Sequence, residues 1–166
     1  MRLWLAVLLS FLGFEVLPAV PFVVDSPAVT ITLPDGFRHD EKDTFGYVIV
    51  PPGRDKRQKL RIHYTGSQGV SPGEASQQSI DRINQRRAKD GRPPEVVIFS
   101  KPVKTASGLP GQQVRVGASP EGYLDHYYFI APSGRIICVC VYYYGDTAFA
   151  GGMHRAIIDS FAFVAK

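Results

Sequence analysis

Two apolar, aromatic runs near the C-terminus predict the central hairpin of a β-sheet. They cover residues 123–131 and 135–144, and Pro132-Ser133-Gly134 lies between them as a turn. Apolar residues occupy both sets of alternate positions in each run, so we expect both faces of these strands to be covered by other elements. The position of the turn predicts how the two strands pair and places His126 close to Cys140.

Shorter apolar segments predict further strands on either side of this hairpin. They cover residues 29–33, 45–50, 59–65, 96–99 and 111–117. The segment 59–65 alternates apolar residues with Arg61, His63 and Thr65, which indicates a half-exposed strand. The uniformly apolar segment 96–99 is interpreted as a core strand.

Two segments have the hydrophobic spacing and the terminal residues of helices. Ser71 is followed by Pro and then by Glu74, the order of a capping box, so a helix is predicted over residues 72–89. Asp146 is expected to cap a second helix, whose apolar side chains recur at helical spacing as far as Ser160. This order of elements predicts an α+β fold: a mostly antiparallel sheet of about six to seven strands with two main helices packed on its faces, an α/β/α sandwich.

The N-terminus has the order of residues that is typical of a secretory signal. Arg2 precedes an apolar run that reaches Phe14, and a polar break with small residues follows. The run is short for a bilayer crossing, which takes about 20 residues. We therefore expect residues 1–19 to be a cleaved signal peptide and the protein to be exported to the periplasm or the extracellular space. A membrane anchor through residues 1–14 and a buried N-terminal strand are the alternatives.

Length and composition match one ordinary globular domain. Of the 166 residues, 45% are hydrophobic and 20% are charged, which argues against disorder and against a protein with several membrane spans. After the signal segment we expect a linker over residues 20–27 and a single, monomeric domain over residues 28–166. The net charge of +4 is mildly basic. Nucleic acid is not expected as a partner, because the chain has an export signal and no recognisable reading motif.

Both cysteines, Cys138 and Cys140, lie in one predicted strand and point to the same face. Their Cα atoms would be about 6.5–7 Å apart, near or beyond the disulfide range, so we expect buried free thiols that pack as small hydrophobic side chains. A small thiol-dependent enzyme that uses His126 with Cys140 is the alternative. The four histidines lack metal-type spacing, so no metal site, other cofactor or catalytic residue is predicted.

Aromatic and basic residues are the candidate contacts for a partner. Tyrosines near the strand ends suit a partner surface or a groove for an apolar small ligand, and cross-strand aromatic packing would also account for them. The basic segment 54–61 suits an anionic partner, with a plainly solvated loop as its alternative. The candidate binding residues are Tyr123, Tyr127, Tyr142, Tyr143, Tyr144, Arg54, Lys56, Arg57 and Lys59.

The order of elements, together with two short sequence marks, resembles the PsbP-like superfamily. The marks are Leu33-Pro34-Asp35-Gly36-Phe37 at the start of the domain and Ile158-Asp159-Ser160-Phe161 at the end of the last helix. That superfamily includes the photosystem PsbP proteins, the Ran-binding Mog proteins and many exported bacterial proteins of unknown function. The resemblance implies a PsbP-like fold and a non-enzymatic role, and it points to no particular binding residue. We therefore expect an exported domain that binds a protein or an anionic component of the cell envelope.

Overall fold

The structure, a computed structural model, describes residues 20–25, 28–34, 36–40, 46–53, 57–119 and 122–164. The predicted signal segment 1–19 lies outside the described residues, as do the candidate binding residues Arg54 and Lys56. Asp35 of the family mark and Phe45, the first residue of the predicted strand 45–50, also lie outside them. Neither of the two helices that the structure describes is long and apolar enough to cross a membrane.

Ten strands and two helices follow one another in the described chain. They are β1 Val20–Asp25, β2 Ala28–Leu33, β3 Arg38–His39, β4 Tyr47–Val50, β5 Lys59–Gln68, α1 Pro72–Lys89, β6 Val96–Lys104, β7 Pro110–Ser119, β8 Gly122–Ile130, β9 Arg135–Tyr142, α2 Thr147–Ser160 and β10 Ala162–Phe163. Seven strands form an antiparallel sheet in the order β3-β4-β5-β9-β8-β7-β6, and β1-β2-β10 form a second, smaller antiparallel sheet. The predicted α+β class and the seven-stranded sheet are thereby confirmed.

The predicted hairpin is the centre of the large sheet. Its turn closes with a hydrogen bond from the Ala131 N–H to the Arg135 carbonyl, and Gly134 has the left-handed φ of 77° that this turn requires. In the ladder His126 lies opposite Cys140, as the sequence predicts. Strand β9 pairs with β8 on one edge and with β5 on the other, and residues 136–141 are buried on both faces because other elements pack on each face.

Each face of the large sheet is covered by one helix, but the two helices bury different amounts of apolar side chain against it. On one face, α2 inserts Phe149, Met153 and Ile157 into a core that also includes strand β2. On the other face, α1 buries only Ala75, Ser76 and Ile80 against the sheet. Full burial of a large apolar side chain contributes about 1.5–3 kcal/mol, so α1 is held far more weakly by apolar contacts than α2 is.

Polar contacts therefore determine where α1 begins and how its far end is held. The Ser71 hydroxyl accepts a hydrogen bond from the Glu74 N–H at 3.2 Å, and the Glu74 carboxylate accepts one from the Ser71 N–H at 2.9 Å. This is the predicted capping box, and the helix has the predicted bounds. Near the other end, the Asn84 side chain accepts a hydrogen bond from the Glu95 N–H at 2.7 Å, which joins α1 to the chain just before β6.

The predicted linker 20–27 is wrong over most of its length. Val20–Asp25 is strand β1, and it pairs with β2 from Val20 opposite Leu33 to Asp25 opposite Ala28. The segment reads as a linker because it follows the signal pattern directly. Strand β1 is held by its pairing with β2, and β2 itself packs against α2. The pairing therefore depends on contacts that the sequence of residues 20–27 does not contain.

The prediction of a core strand over residues 96–99 is also wrong. Among the strands that the structure describes, β6 is the last strand of the large sheet and pairs with β7 alone. Val96, Val97 and Ile98 keep 60%, 41% and 53% of their surface exposed. A uniformly apolar run normally indicates a strand that is covered on both faces, whereas here it stands at an uncovered edge.

Candidate functional site

A cavity of about 540 Å³ lies between α1 and the large sheet, where the helix makes few apolar contacts. Its floor is the α1-facing surface of β5, β9 and β8, and its rim includes polar residues of α1. The lining residues are Arg61, His63, Tyr64, Thr65, Gly66, Ser79, Arg82, Ile83, Arg86, His126, Tyr128, Cys138, Cys140 and Tyr142. Arginines and histidines in this lining do not suit the apolar small ligand that was considered beneath the tyrosines.

The register of three adjacent strands brings the cysteines and histidines together. Across β5, β9 and β8, one row of opposed residues is His63, Cys138 and Tyr128, and the next row is Arg61, Cys140 and His126. Opposed residues of an antiparallel ladder share a face of the sheet. The two thiols therefore lie side by side on the middle strand, with a histidine on each side of them.

Short distances separate these four side chains. The Sγ atoms of Cys138 and Cys140 are 3.4 Å apart, and both cysteines are free thiols. His126 Nδ1 lies 3.9 Å from Cys138 Sγ and 3.8 Å from Cys140 Sγ. A ring nitrogen of His63 and the two sulfur atoms all lie within 4.8 Å of one another. The fold thus assembles a histidine and cysteine cluster that no spacing in the sequence indicates.

Two imidazole nitrogens in this cluster have no hydrogen-bond partner. They are Nδ1 of His63 and Nε2 of His126, and none of the described residues supplies a partner to either. His126 is only 6% exposed, and its Nδ1 lies 3.2 Å from the Tyr128 hydroxyl. An unpaired buried polar atom costs about 1–3 kcal/mol of folding stability, so these two nitrogens destabilise the folded protein unless something binds them.

The electrostatics of the cluster favour one thiolate. A hydrogen bond from the Cys138 thiol, together with the charge of His126, holds the pKa of Cys140 well below its usual value despite burial. Burial raises the pKa of Cys138, so Cys138 keeps its proton. Burial by itself lowers the pKa of His126, but the Cys140 thiolate outweighs it and the net direction is upward. The contact between Cys140 and His126 thus lowers the pKa of the thiol and raises the pKa of the imidazole.

A thiolate paired with an imidazolium can act as a nucleophile or as a ligand for a soft metal ion. Catalytic dyads normally include a third group that orients the imidazole, and within the described residues no group is bonded to His126 Nε2. Cys140 is also only 3% exposed, beneath α1. The expected burial of the two thiols is therefore observed, and a substrate has little access to the sulfur.

Among the tyrosines expected to contact a partner, two are core residues. Tyr127 and Tyr143 are 0% and 1% exposed. The Tyr127 hydroxyl lies 2.8 Å from His154 Nδ1 and accepts a hydrogen bond from Gln113 at 3.0 Å. The Tyr143 hydroxyl donates to the Asp125 carboxylate at 3.5 Å. These side chains stabilise the interior on the α2 side and are not available as contact residues.

Of the other candidates that the structure describes, four form two contact pairs. Arg57 lies over the ring of Tyr144 and Lys59 lies over the ring of Tyr142, each at 5.2 Å from the ring centroid. Tyr144 is 41% exposed and has a φ of 43°, which is unusual for a residue with a side chain. Tyr123 is 45% exposed but stacks on Tyr143 instead. We refer to Arg57, Lys59, Tyr142 and Tyr144 as the aromatic-basic surface.

Sequence reasoning missed His63 as a neighbour of the thiols and missed β6 as an exposed edge. The pairing of β5 with β9 that brings His63 to Cys138 joins segments on opposite sides of α1, and no local pattern predicts it. For β6 a signal was present: Pro102 lies in the strand with Lys101 and Lys104 on either side of it. Proline and lysine within a strand are typical of sheet edges.

Comparisons with known proteins show similarity of fold without similarity of sequence. No protein-family model matches this chain, and no curated protein matches it. Its fold is similar to the solution structure of cyanobacterial PsbP (CyanoP) from Synechocystis sp. PCC 6803, with a TM-score of 0.65. The alignment covers 92% of this chain and 96% of the cyanobacterial chain at 11% identity. At this identity the likeness concerns the fold alone, and it confirms the PsbP-like arrangement expected from the order of elements.

Proposed function

We propose that this chain is an exported, non-enzymatic binding domain with a PsbP-like fold, and that it docks an extended segment of a partner protein along strand β6. One observation carries the proposal: β6 is a nine-residue edge strand whose first half presents Val96, Val97 and Ile98 to solvent. The unpaired N–H and C=O groups of an edge strand can be completed by an added strand. Exposed apolar side chains on such an edge add affinity and select the partner.

Charge and sequence along β6 indicate what kind of segment fits. Lys101 and Lys104 are exposed on the second half of the strand, and Pro102 between them lacks an N–H. These residues discourage continuous pairing there, so the docking window is the first half of the strand, in which the ladder to β7 shifts register at Ile98. A segment that is apolar opposite residues 96–98 and acidic where it passes the lysines matches both the strand and the net charge of +4.

The docking proposal is tested by Ile98→Lys, with Val23→Lys as the matched control. Val23 is 58% exposed and lies in the other sheet. Ile98 has roughly half of its surface left to bury, worth about 1 kcal/mol, and the introduced charge adds a desolvation cost. We expect the partner from a native envelope extract to be retained by the wild type and by V23K and lost by I98K.

Amide hydrogen exchange separates strand addition from other modes of docking. The retained partner should slow the exchange of the β6 amides that are not bonded to β7, because an added strand accepts hydrogen bonds from them. Unchanged β6 exchange in the presence of the partner, or its equal retention by I98K, contradicts the proposal. Size-exclusion chromatography should show a monomer; a dimer that I98K dissociates would mean that a second copy of this chain occupies the edge.

The aromatic-basic surface supports a second contact, with an anionic envelope component. Its support is that Lys59 and Arg57 are held over aromatic rings, an arrangement that keeps a positive charge beside a flat apolar surface.

Export itself is tested by N-terminal sequencing of the mature protein from its native host. A mature chain that begins near residue 20 supports cleavage, whereas one that retains residues 1–14 supports an anchor or an internal location.

A further inference from the structure

We propose that His63, Cys138, Cys140 and His126 form a binding site for a soft d10 metal ion beneath α1, with Zn²⁺ as the representative ion. The proposal is independent of docking at β6, which lies at the far edge of the same sheet. Two thiolates and two imidazoles are the ligand set of many tetrahedral zinc sites. Here the set is assembled by strand register, since the four residues come from three strands.

The spacing of three of the four ligand atoms is close to that of a tetrahedral site. With Zn–S bonds of about 2.3 Å and Zn–N bonds of about 2.0–2.1 Å, tetrahedral geometry separates two sulfur atoms by about 3.8 Å and a sulfur from a nitrogen by about 3.6 Å. The two sulfur atoms of this cluster are 3.4 Å apart, and His126 Nδ1 lies 3.8 and 3.9 Å from them. Shifts of a few tenths of an ångström would therefore bring these three atoms to their positions around one ion.

His63 completes the set from the opposite side. A ring nitrogen of His63 lies within 4.8 Å of both sulfur atoms, and Nδ1 of this ring has no partner among the residues that the structure describes. His63 is partly exposed, and its ring would have to move closer to the sulfur atoms for all four atoms to bind one ion. His63 and His126 lie on β5 and β8, the two strands that flank the thiols on β9.

An ion bound through Nδ1 of His63 would give a partner to one of the two unpartnered imidazole nitrogens of the cluster. The cavity has room for an ion to enter, and buried polar atoms normally have partners. His126 is more than nine-tenths buried and would bind the ion through Nδ1, so its Nε2, which has no described hydrogen-bond partner, would be the atom turned away from the ion. Glu95 interacts electrostatically with His126, and its Oε2 atom is also buried without a described partner. A carboxylate beside a metal-bound imidazole is a common supporting group.

Charge balance is consistent with the arginines that line the cavity. Coordination of Zn²⁺ by two thiolates and two neutral imidazoles forms four metal–ligand bonds and displaces bound water. Each cysteine that is still protonated releases its S–H proton to solvent, and an imidazolium releases the proton on its ligating nitrogen. The complex carries no net charge, so it places no uncompensated cation beside Arg61, Arg82 and Arg86.

Titration of the reduced, folded protein with Co²⁺ and Zn²⁺ tests the site. We expect one equivalent of Co²⁺ to produce a sulfur-to-cobalt charge-transfer band and the visible bands of a tetrahedral ion, and Zn²⁺ to abolish both. Cys140→Ser and His126→Ala should weaken Zn²⁺ binding by more than about 100-fold, beyond what loss of a supporting group costs. The control is His39→Ala, since His39 is an exposed histidine on β3 outside the cluster.

A second measurement needs no variant. Stoichiometric Zn²⁺ should protect both thiols of the wild type from iodoacetamide, and circular dichroism should show that the folded content is unchanged. The proposal is overturned if folded protein gives no sulfur-to-cobalt band, or if Zn²⁺ leaves the labelling rate unchanged. It is equally overturned if H39A removes the binding that C140S leaves intact, because the ion would then be held adventitiously at the surface.

Discussion

The ion pair between Arg115 and Asp125 should be strongly asymmetric in its response to substitution. Arg115 donates two hydrogen bonds to the Asp125 carboxylate, at 2.7 and 2.8 Å. Side-chain exposure is 32% for Arg115 and 2% for Asp125. Removal of one partner from a buried pair costs about 3–5 kcal/mol when the remaining charge stays buried. Loss of Arg115 leaves the buried Asp125 carboxylate unpaired, whereas loss of Asp125 leaves a guanidinium that is partly exposed.

Arg115→Met should therefore destabilise the protein more than Asp125→Asn does. In R115M the Asp125 carboxylate keeps only long hydrogen bonds from Gln113, at 3.4 Å, and from Tyr143, at 3.5 Å, so we expect a loss of about 3–5 kcal/mol. In D125N the guanidinium can reach water and can still donate to the amide oxygen, so we expect a loss of about 1–3 kcal/mol.

Urea unfolding of both single variants and of the double variant measures this asymmetry. The slope of unfolding free energy against urea should not change, which makes the midpoints comparable. The two losses should not add in the double variant, since each substitution removes the same interaction. If D125N costs as much as R115M, or if the losses add, the pair is not held as the buried geometry implies.

Two further predictions concern pH and the aromatic-basic surface. Burial, and then the charge of Lys101, lower the pKa of His154 in the folded state, so the unfolded chain binds this proton more tightly and stability falls as pH drops below about 6.5. In His154→Gln the urea midpoint should depend less on pH between pH 7.5 and 5.5, and an unchanged dependence would refute this. The double variant R57Q/K59Q should lose retention on anionic lipid vesicles, whereas K89Q, which removes an exposed charge at the end of α1, should lose little; equal losses would point to net charge alone.

Local signals in the sequence were sufficient to predict the helix start and the hairpin, whose contacts join residues close in the chain. The capping box at Ser71 and Glu74 determines where α1 begins, and the short turn before Arg135 determines that His126 faces Cys140. In both cases the interacting residues are close in the chain, so spacing alone carries the information. The α+β class followed from the order of these elements.

The features that the sequence did not predict depend on contacts between distant segments. His63 reaches Cys138 only because β5 pairs with β9 across the intervening helix and strands. Burial of the side chain of Tyr127 depends on α2, which supplies His154 as its hydrogen-bond partner. Likewise, the apolar run 96–99 does not by itself reveal whether another strand lies beyond it, and the residues typical of an edge, Lys101, Pro102 and Lys104, come only after it.

The shallow seating of α1 has a kinetic consequence for the cavity beneath it. Since Ala75 and Ile80 are the buried apolar side chains of this helix, its detachment costs only part of the free energy of global unfolding. The rate at which small solutes reach Cys138 and Cys140 should then follow the rate at which α1 detaches, while the α2 side of the sheet stays folded. Substitutions in α1 should therefore change the rate of access to the thiols without changing the stability of the core on the α2 side.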